Sequence, residues 1–78
     1  MQFLLNLLEK IAYYQSRIDG YEQKYGLKFN DFRSRVVDKS DPILSRFGAI
    51  EKEDDDFEWE TAIEFMQGFQ EDLKETEL

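Results

Sequence analysis

Apolar residues recur along the first third of the chain at alternating steps of three and four. A helix places residues at this spacing on one stripe, which is the seam pattern of a coiled coil. The members of this first seam are Leu4, Leu7, Ile11, Tyr14, Ile18, Tyr21 and Tyr25. The pattern predicts one long helix over about residues 2–25, ended by Gly26, which suits the left-handed position just past a helix end. Another apolar surface must cover this seam, either from the same chain or from a partner.

A second seam occupies the C-terminal third of the chain, again with alternating steps of three and four. Its members are Trp59, Ala62, Met66, Phe69 and Leu73. The acidic run at residues 51–56 precedes it, and negative charge is favourable at a helix N-terminus. The sequence therefore predicts an acidic lead and a last helix over about residues 54–75.

The segment between the seams carries signals for short helical pieces over about residues 28–47. Apolar residues around Phe32 have helical spacing, which predicts a helix of two to three turns. Further on, Asp41 or Ser40 is placed to cap a helical turn that Pro42 begins. We expect this middle segment to connect the two long helices.

Together these elements predict an all-α fold in a single domain over residues 1–78. Its architecture is an antiparallel hairpin of two long helices with one or two short connecting helices. We expect the first seam, from Leu4 to Ile18, to pack on the second, from Trp59 to Phe69. A chain of 78 residues has a small core, so binding to another protein or to a second copy would add stability.

Composition argues against catalysis and metal binding. The chain has no cysteine and no histidine, which removes thiolate ligands, the commonest metal ligand and the commonest general base. The acidic run does not have the spacing of an EF-hand loop. We therefore predict no enzyme activity, no catalytic residues, no cofactor and no metal.

The apolar start of the chain is interrupted by Glu9 and Lys10, so we expect neither an export signal nor a membrane span. A cytoplasmic protein is the default expectation.

Charge is distributed unevenly along the chain, which carries −8 in total. Residues 1–23 sum to −1, residues 24–46 to +3 and residues 47–78 to −10. Such an acidic chain is unsuited to direct nucleic-acid binding. An acidic helix of this kind suits a basic protein partner, such as the groove of an RNA-acting protein. The basic residues around Arg33 are interpreted as solvated or as partners of the acidic end within the chain.

Aromatic residues are too numerous for a small hairpin to enclose, with seven Phe, four Tyr and one Trp. Some of these rings can belong to the rim of the core, and others are candidates for contact with a partner, because aromatic anchors dominate binding hot spots. The candidate partner-binding residues are Tyr14, Tyr21, Tyr25, Phe57, Trp59, Phe65, Phe69, Asp55, Asp56 and Glu60.

Short motifs in the chain also match a known layout. Residues 22–27 read Glu-x-Lys-Tyr-Gly-Leu, Phe32 follows, and residues 56–60 read Asp-Phe-x-Trp-Glu. This order resembles that of small prokaryotic antitoxins of the TumA-like kind, which are encoded beside a toxin gene, and it spans about residues 4–73. The resemblance implies that the chain neutralises a cognate toxin by direct binding. It does not indicate what the toxin does.

The chain also departs from this layout. The family has Ser or Thr after the apolar residue that follows the glycine, where this chain has Lys28, and its middle segment lacks the residues 40–42 present here. An alternative from another class is a self-assembling homodimer with a structural or adaptor role, whose seams mediate self-association. A nucleic-acid regulator that uses the basic middle is a third, weaker alternative.

Overall fold

The computed structural model describes residues 2–76, so Met1, Glu77 and Leu78 lie outside it. Its elements in chain order are α1 (Gln2–Tyr25), α2 (Phe29–Arg35), a 3-10 turn (Leu44–Arg46) and α3 (Ala49–Thr76). The predicted all-α hairpin is confirmed: α1 packs against α3, and the short elements connect them. The covering surface for the first seam thus comes from the same chain.

Ring contacts show that α1 and α3 run antiparallel. Tyr25 at the end of α1 lies 6.1 Å from Trp59 between ring centroids, whereas Tyr14 lies 5.8 Å from Phe69. The hairpin is elongated, with extents of 50 × 18 × 16 Å. Because α2 and the 3-10 turn lie at the Tyr25 end, that end is covered and the other end consists of the two long helices alone.

Gly26 ends α1 as the sequence predicts. Its φ of 68° is in the left-handed region that favours glycine, and its N–H donates to the Glu22 carbonyl oxygen at 2.8 Å. Leu27 follows and packs against the core, as apolar residues after such a cap commonly do. Three residues, Gly26 to Lys28, separate α1 from α2, which begins at Phe29.

Asp41 organises the connection between α2 and α3. One carboxylate oxygen accepts the N–H groups of Ile43 and Leu44, both at 3.0 Å. The other accepts from Arg35 Nε at 2.7 Å. The N–H of Leu44 and the guanidinium of Arg35 together hold the pKa of Asp41 below its usual value. Of the two predicted capping residues, Asp41 is the one that caps the turn.

The start of α3 differs from the prediction. The helix begins at Ala49, so the acidic run at residues 51–56, predicted as a lead, is itself helical. Glu51 accepts the N–H of Gly48 at 3.3 Å, and Lys52 donates its N–H to the Gly48 carbonyl oxygen at 3.0 Å. Glu51 lies in the first turn, where the free N–H groups of the helix favour a negative charge.

The core is aromatic and lies at the covered end of the hairpin. Trp59 is fully buried, and its ring contacts Tyr21 at 5.5 Å and both Phe29 and Phe32 at 5.2 Å. The residues of this buried cluster are Ile18, Tyr21, Tyr25, Phe32, Leu44, Trp59 and Ala62. Toward the other end only Leu7 of the first seam is buried, and its neighbours are half-buried. The packing of the two seams is therefore tightest beside α2.

No helix in the described part of the chain is both long enough and apolar enough to cross a membrane.

Candidate protein-interaction site

Two tyrosine hydroxyls join α1 to α3 through carboxylates. Tyr21 donates to Glu58 at 2.5 Å, and Arg17 donates to the same carboxylate oxygen at 3.1 Å. Burial, followed by the hydrogen bond to Glu58, raises the pKa of Tyr21 to about 12. The tyrosine therefore stays protonated and remains a donor over the whole range in which proteins are usually studied.

The second such contact lies one turn closer to the covered end. Tyr25 donates to Asp55 at 2.5 Å, and Lys24 donates to the same oxygen at 2.7 Å. Burial and this hydrogen bond raise the pKa of Tyr25, while Asp55 and Glu51 raise the pKa of Lys24. Lys24 also forms an ion pair with Glu51 at 2.7 Å. Three carboxylates of α3, those of Glu51, Asp55 and Glu58, therefore contact α1.

Arg33 of α2 contacts two further carboxylates of α3. It forms ion pairs with Asp56 at 3.3 Å and with Glu60. The hydrogen bond to Glu60, followed by that to Asp56, raises the pKa of Arg33. The interpretation of this arginine as a partner of the acidic end within the chain is confirmed. Since these charges are exposed, the pairs orient α2 more than they stabilise it.

Six of the ten predicted partner-binding residues are engaged within the chain. Tyr21, Tyr25 and Trp59 are 8%, 2% and 0% exposed, because α2 and the 3-10 turn cover the end of the seam where they lie. Asp55 and Glu60, together with Asp56, contact Lys24 or Arg33 as described above. In this fold the three rings are core residues and offer no surface to a partner, and the three carboxylates are already paired. Their role in binding a partner stays a prediction, and it is less favoured by this packing than that of the exposed rings.

The other four predicted residues meet on one side of the hairpin. Tyr14 lies 5.4 Å from Phe65 and 5.8 Å from Phe69 between ring centroids. Phe65 is 49% exposed and Phe57 is 73% exposed, while Tyr14 and Phe69 are half-buried. These rings, together with Tyr13, form the aromatic patch.

Tyr13 is a member of the patch that sequence reasoning missed. Its ring packs edge-on against Tyr14 at 5.0 Å and is 57% exposed. It also lines a shallow groove of about 200 Å³ with Phe57 and Phe65. A signal was present, because Tyr13 is an aromatic residue one position off the seam, and such a ring lies at the flank of an amphipathic helix, where its partner helix covers it only partly.

A third regularity lies along α3, outside its inward seam. Residues there recur at steps of three and four, as on the inward seam, and all are exposed except Thr61, which is half-buried. The members of this acidic stripe are Ile50, Glu53, Phe57, Thr61, Glu64, Gly68, Glu71 and Glu75. Its four glutamates have no ion pair within residues 2–76.

Phe57 connects the two surfaces, since it belongs to the acidic stripe and lines the groove of the aromatic patch. A partner that contacts both would meet exposed rings bordered by unpaired carboxylates. Such a surface matches the anatomy of a binding interface, with aromatic anchors at the centre and charge at the rim. Within residues 2–76, no cluster of carboxylates has the arrangement of a metal site.

Comparison of the chain with protein-family models, with curated proteins and with solved structures finds no match.

Proposed function

We propose that this protein binds a basic protein partner by direct contact and thereby inhibits it, in the manner of an antitoxin. The observation that carries the proposal is the position of Phe57, a ring that is 73% exposed among the unpaired glutamates of the acidic stripe. Phe57 lies beside the other exposed rings of the aromatic patch, and a group of such rings, unlike a single exposed apolar residue, is typical of an interaction surface with aromatic anchors.

Charge indicates what kind of partner fits. The acids that face α1 and α2 are neutralised by Arg17, Lys24 and Arg33, whereas those of the acidic stripe face solvent. Unpaired carboxylates accelerate association with a positively charged surface and disfavour acidic partners. The groove of a protein that acts on RNA or DNA has the required charge. A protein that fills it would exclude the nucleic acid.

The resemblance to TumA-like antitoxins supports the same proposal from the sequence. It makes the expected partner a toxin encoded by an adjacent gene, and the site of action the cytoplasm. Of the motif residues, Tyr25 and Trp59 are buried in the core and Gly26 ends α1, so they maintain the hairpin, while Phe57 lies on its surface. The motif would thus combine residues for folding with one residue for binding.

The experiment is co-expression of the tagged chain with the product of each adjacent reading frame, followed by affinity purification and a growth assay. We expect a stoichiometric complex with a basic protein, and rescue of growth if that protein arrests it. Failure of every adjacent product to co-purify would overturn the proposal of a neighbouring toxin. Co-purification with an acidic product would contradict the role of charge.

Two variants locate the binding surface. Phe57→Ala removes the central ring, and we expect at least a tenfold rise in Kd, or about 1.4 kcal/mol. Val37→Ala is the control at an exposed apolar residue, because Val37 is 80% exposed, follows α2 and belongs neither to the acidic stripe nor to the aromatic patch. Equal effects of the two substitutions would show that the partner binds elsewhere.

A charge reversal tests the glutamates separately. Glu64→Lys with Glu71→Lys should slow association and weaken its dependence on salt. Glu9→Lys with Asp19→Lys on α1 is the control for net charge, since it makes the same change of charge at two exposed residues that lie off the stripe. If the control slows association as much as the reversal, overall charge and not the stripe determines binding.

A further inference from the structure

The N-terminal half of α1 has an uncovered apolar side. Leu5 is 59% exposed and Leu8 is 44% exposed, and Ala12 is exposed beside them. Leu4 and Ile11 lie at the edge of this surface and are half-buried. Because α2 packs near the opposite end of the hairpin, none of its residues contributes to the cover here. We call these five residues the leucine face.

The leucine face lies in the part of the chain that carries almost no charge. Between residues 2 and 16 the only charged side chains are Glu9 and Lys10, which cancel. The whole chain carries −8, and its C-terminal third carries −10. Two copies that met through α3 would bring their acidic stripes together and repel each other. The apolar surface of α1 itself is neutral, so two chains can meet there with less repulsion than through α3, even though the antiparallel packing places the last turns of α3 beside this part of α1.

We infer that the leucine face packs against the leucine face of a second copy, which makes the protein a dimer about a two-fold axis. Such an interface is self-complementary, as two-fold symmetry requires. Leu5, Leu8 and Ala12 are three and four residues apart, which places their side chains on one face of α1, as helix-on-helix packing requires. The proposed dimer interface is centred on Leu5, Leu8 and Ala12, which lie off the first seam, and only its edge residues Leu4 and Ile11 belong to that seam. Both acidic stripes stay free for a partner.

The size of the face indicates how strong the dimer is. Five side chains on about two to three turns bury less than the roughly 800 Å² per partner of a standard interface. We therefore expect a mass that rises with protein concentration toward twice that of the chain. A lipid surface is a poorer fit, because interfacial helices carry lysine and arginine along the polar border of their apolar side. Only Lys10 is available here, and it lies over the ring of Phe69 at 5.5 Å.

The test is the solution mass of the full chain, measured by sedimentation equilibrium over a concentration series. Leu5→Glu with Leu8→Glu places four carboxylates at the dimer interface, and we expect a monomer at every concentration. Phe57→Glu together with Ile50→Glu is the matched control, because it adds the same two charges per chain at exposed apolar residues of α3. We expect this control to keep the mass of the unsubstituted chain. Leu5→Gln with Leu8→Gln, which adds no charge, should weaken the dimer less.

Several results would overturn the inference. An unsubstituted chain that stays monomeric over the series excludes the dimer, and a double variant that stays dimeric places its interface elsewhere. Far-ultraviolet circular dichroism checks that each variant remains helical. Co-sedimentation of the unsubstituted chain, but not of the double variant, with vesicles of neutral and anionic phospholipid would reassign the face to membranes.

The inference is independent of the proposed function, and the same variants separate the two. The double leucine variant should still bind the basic partner, whereas Phe57→Glu with Ile50→Glu should lose the partner and keep the dimer. Loss of both activities in one variant would show that the two surfaces are not separate.

Discussion

The ring of Tyr21 stacks on that of Trp59, with 5.5 Å between centroids and 24° between planes, while its hydroxyl donates to Glu58, the residue before Trp59. A single side chain of α1 thus contacts two successive residues of α3, one through its face and one through its polar tip. This arrangement fixes both the distance between the helices and their register.

Substitution of Trp59 should cost more stability than any other single change. Trp59→Ala removes a fully buried ring, and we expect the free energy of unfolding to fall by about 3–5 kcal/mol. Trp59→Phe should cost less, because the indole N–H has no acceptor within the described chain and a phenyl ring keeps much of the packing. Urea unfolding followed by circular dichroism measures both. Phe57→Ala, the exposed control, should stay within about 0.5 kcal/mol of the unsubstituted chain.

The raised pKa values of two tyrosines predict a loss of stability at alkaline pH. An unfolded tyrosine has a pKa of about 10, whereas that of Tyr21 is about 12 in the fold and that of Tyr25 is also raised. Between these values the folded state holds protons that the unfolded state has released. The contribution of these tyrosines to the free energy of unfolding should therefore be fully present below about pH 10 and should decrease as the pH rises toward about 12.

Tyrosine-to-phenylalanine variants test this pH dependence. Tyr21→Phe should flatten the alkaline decline, and addition of Tyr25→Phe should flatten it further, although each removes a hydrogen bond and lowers stability at neutral pH. Urea unfolding at a series of alkaline pH values gives the slope. A slope that is the same in the double variant would show that other groups cause the decline.

The glycines Gly20 and Gly26 should respond in opposite directions to the same substitution. Gly26→Ala forces a side chain into the left-handed region and should destabilise by about 1 kcal/mol. Gly20→Ala lies inside α1, where an added Cβ meets no atom within 4 Å, and it should stabilise by about 1 kcal/mol. Thermal unfolding gives both signs. A destabilising Gly20→Ala would mean that its added side chain disturbs a contact.

Asp41 is expected to act both as a cap and as a charge. Asp41→Ala loses the bonds to two backbone N–H groups and to Arg35, so its thermal midpoint should be the lowest. Asp41→Asn can still cap but lacks the charge, and its midpoint should be intermediate. Because the pKa of Asp41 is lowered in the fold, its contribution is present above about pH 4 and disappears as the pH falls through the folded pKa. The midpoint of Asp41→Asn should approach that of the unsubstituted chain in acid.

Local patterns predicted the elements well, since the information for them lies within a few residues. The first seam and Gly26 gave α1 with its bounds, and Asp41 with Pro42 gave the turn. The start of α3 was harder, because Glu51 and Asp55 are balanced by Lys24, a residue distant in the sequence. A run of acids without these partners would repel itself within a helix.

The division of rings between core and surface could not be read from spacing. Tyr14 and Tyr21 occupy equivalent positions on the first seam, yet one is half-buried and the other buried. The difference comes from the middle segment around Phe32, whose packing depends on the tertiary fold. The acidic stripe of α3 could have been recognised in the sequence, but its spacing is regular only when the polar residues are counted together with Ile50 and Phe57.

The hairpin is closed at one end only. The cation–carboxylate contacts of Arg17, Lys24 and Arg33, both tyrosine hydrogen bonds and the buried ring cluster all lie toward Gly26, whereas the first turns of α1 expose Phe3, Leu5 and Leu8. The two long helices should therefore separate first at the open end, and the separation should proceed from there toward Gly26. Amide hydrogens of α1 should exchange with solvent in a gradient, fastest near Phe3 and slowest near Tyr25. Dilution should steepen this gradient if a second copy protects the open end.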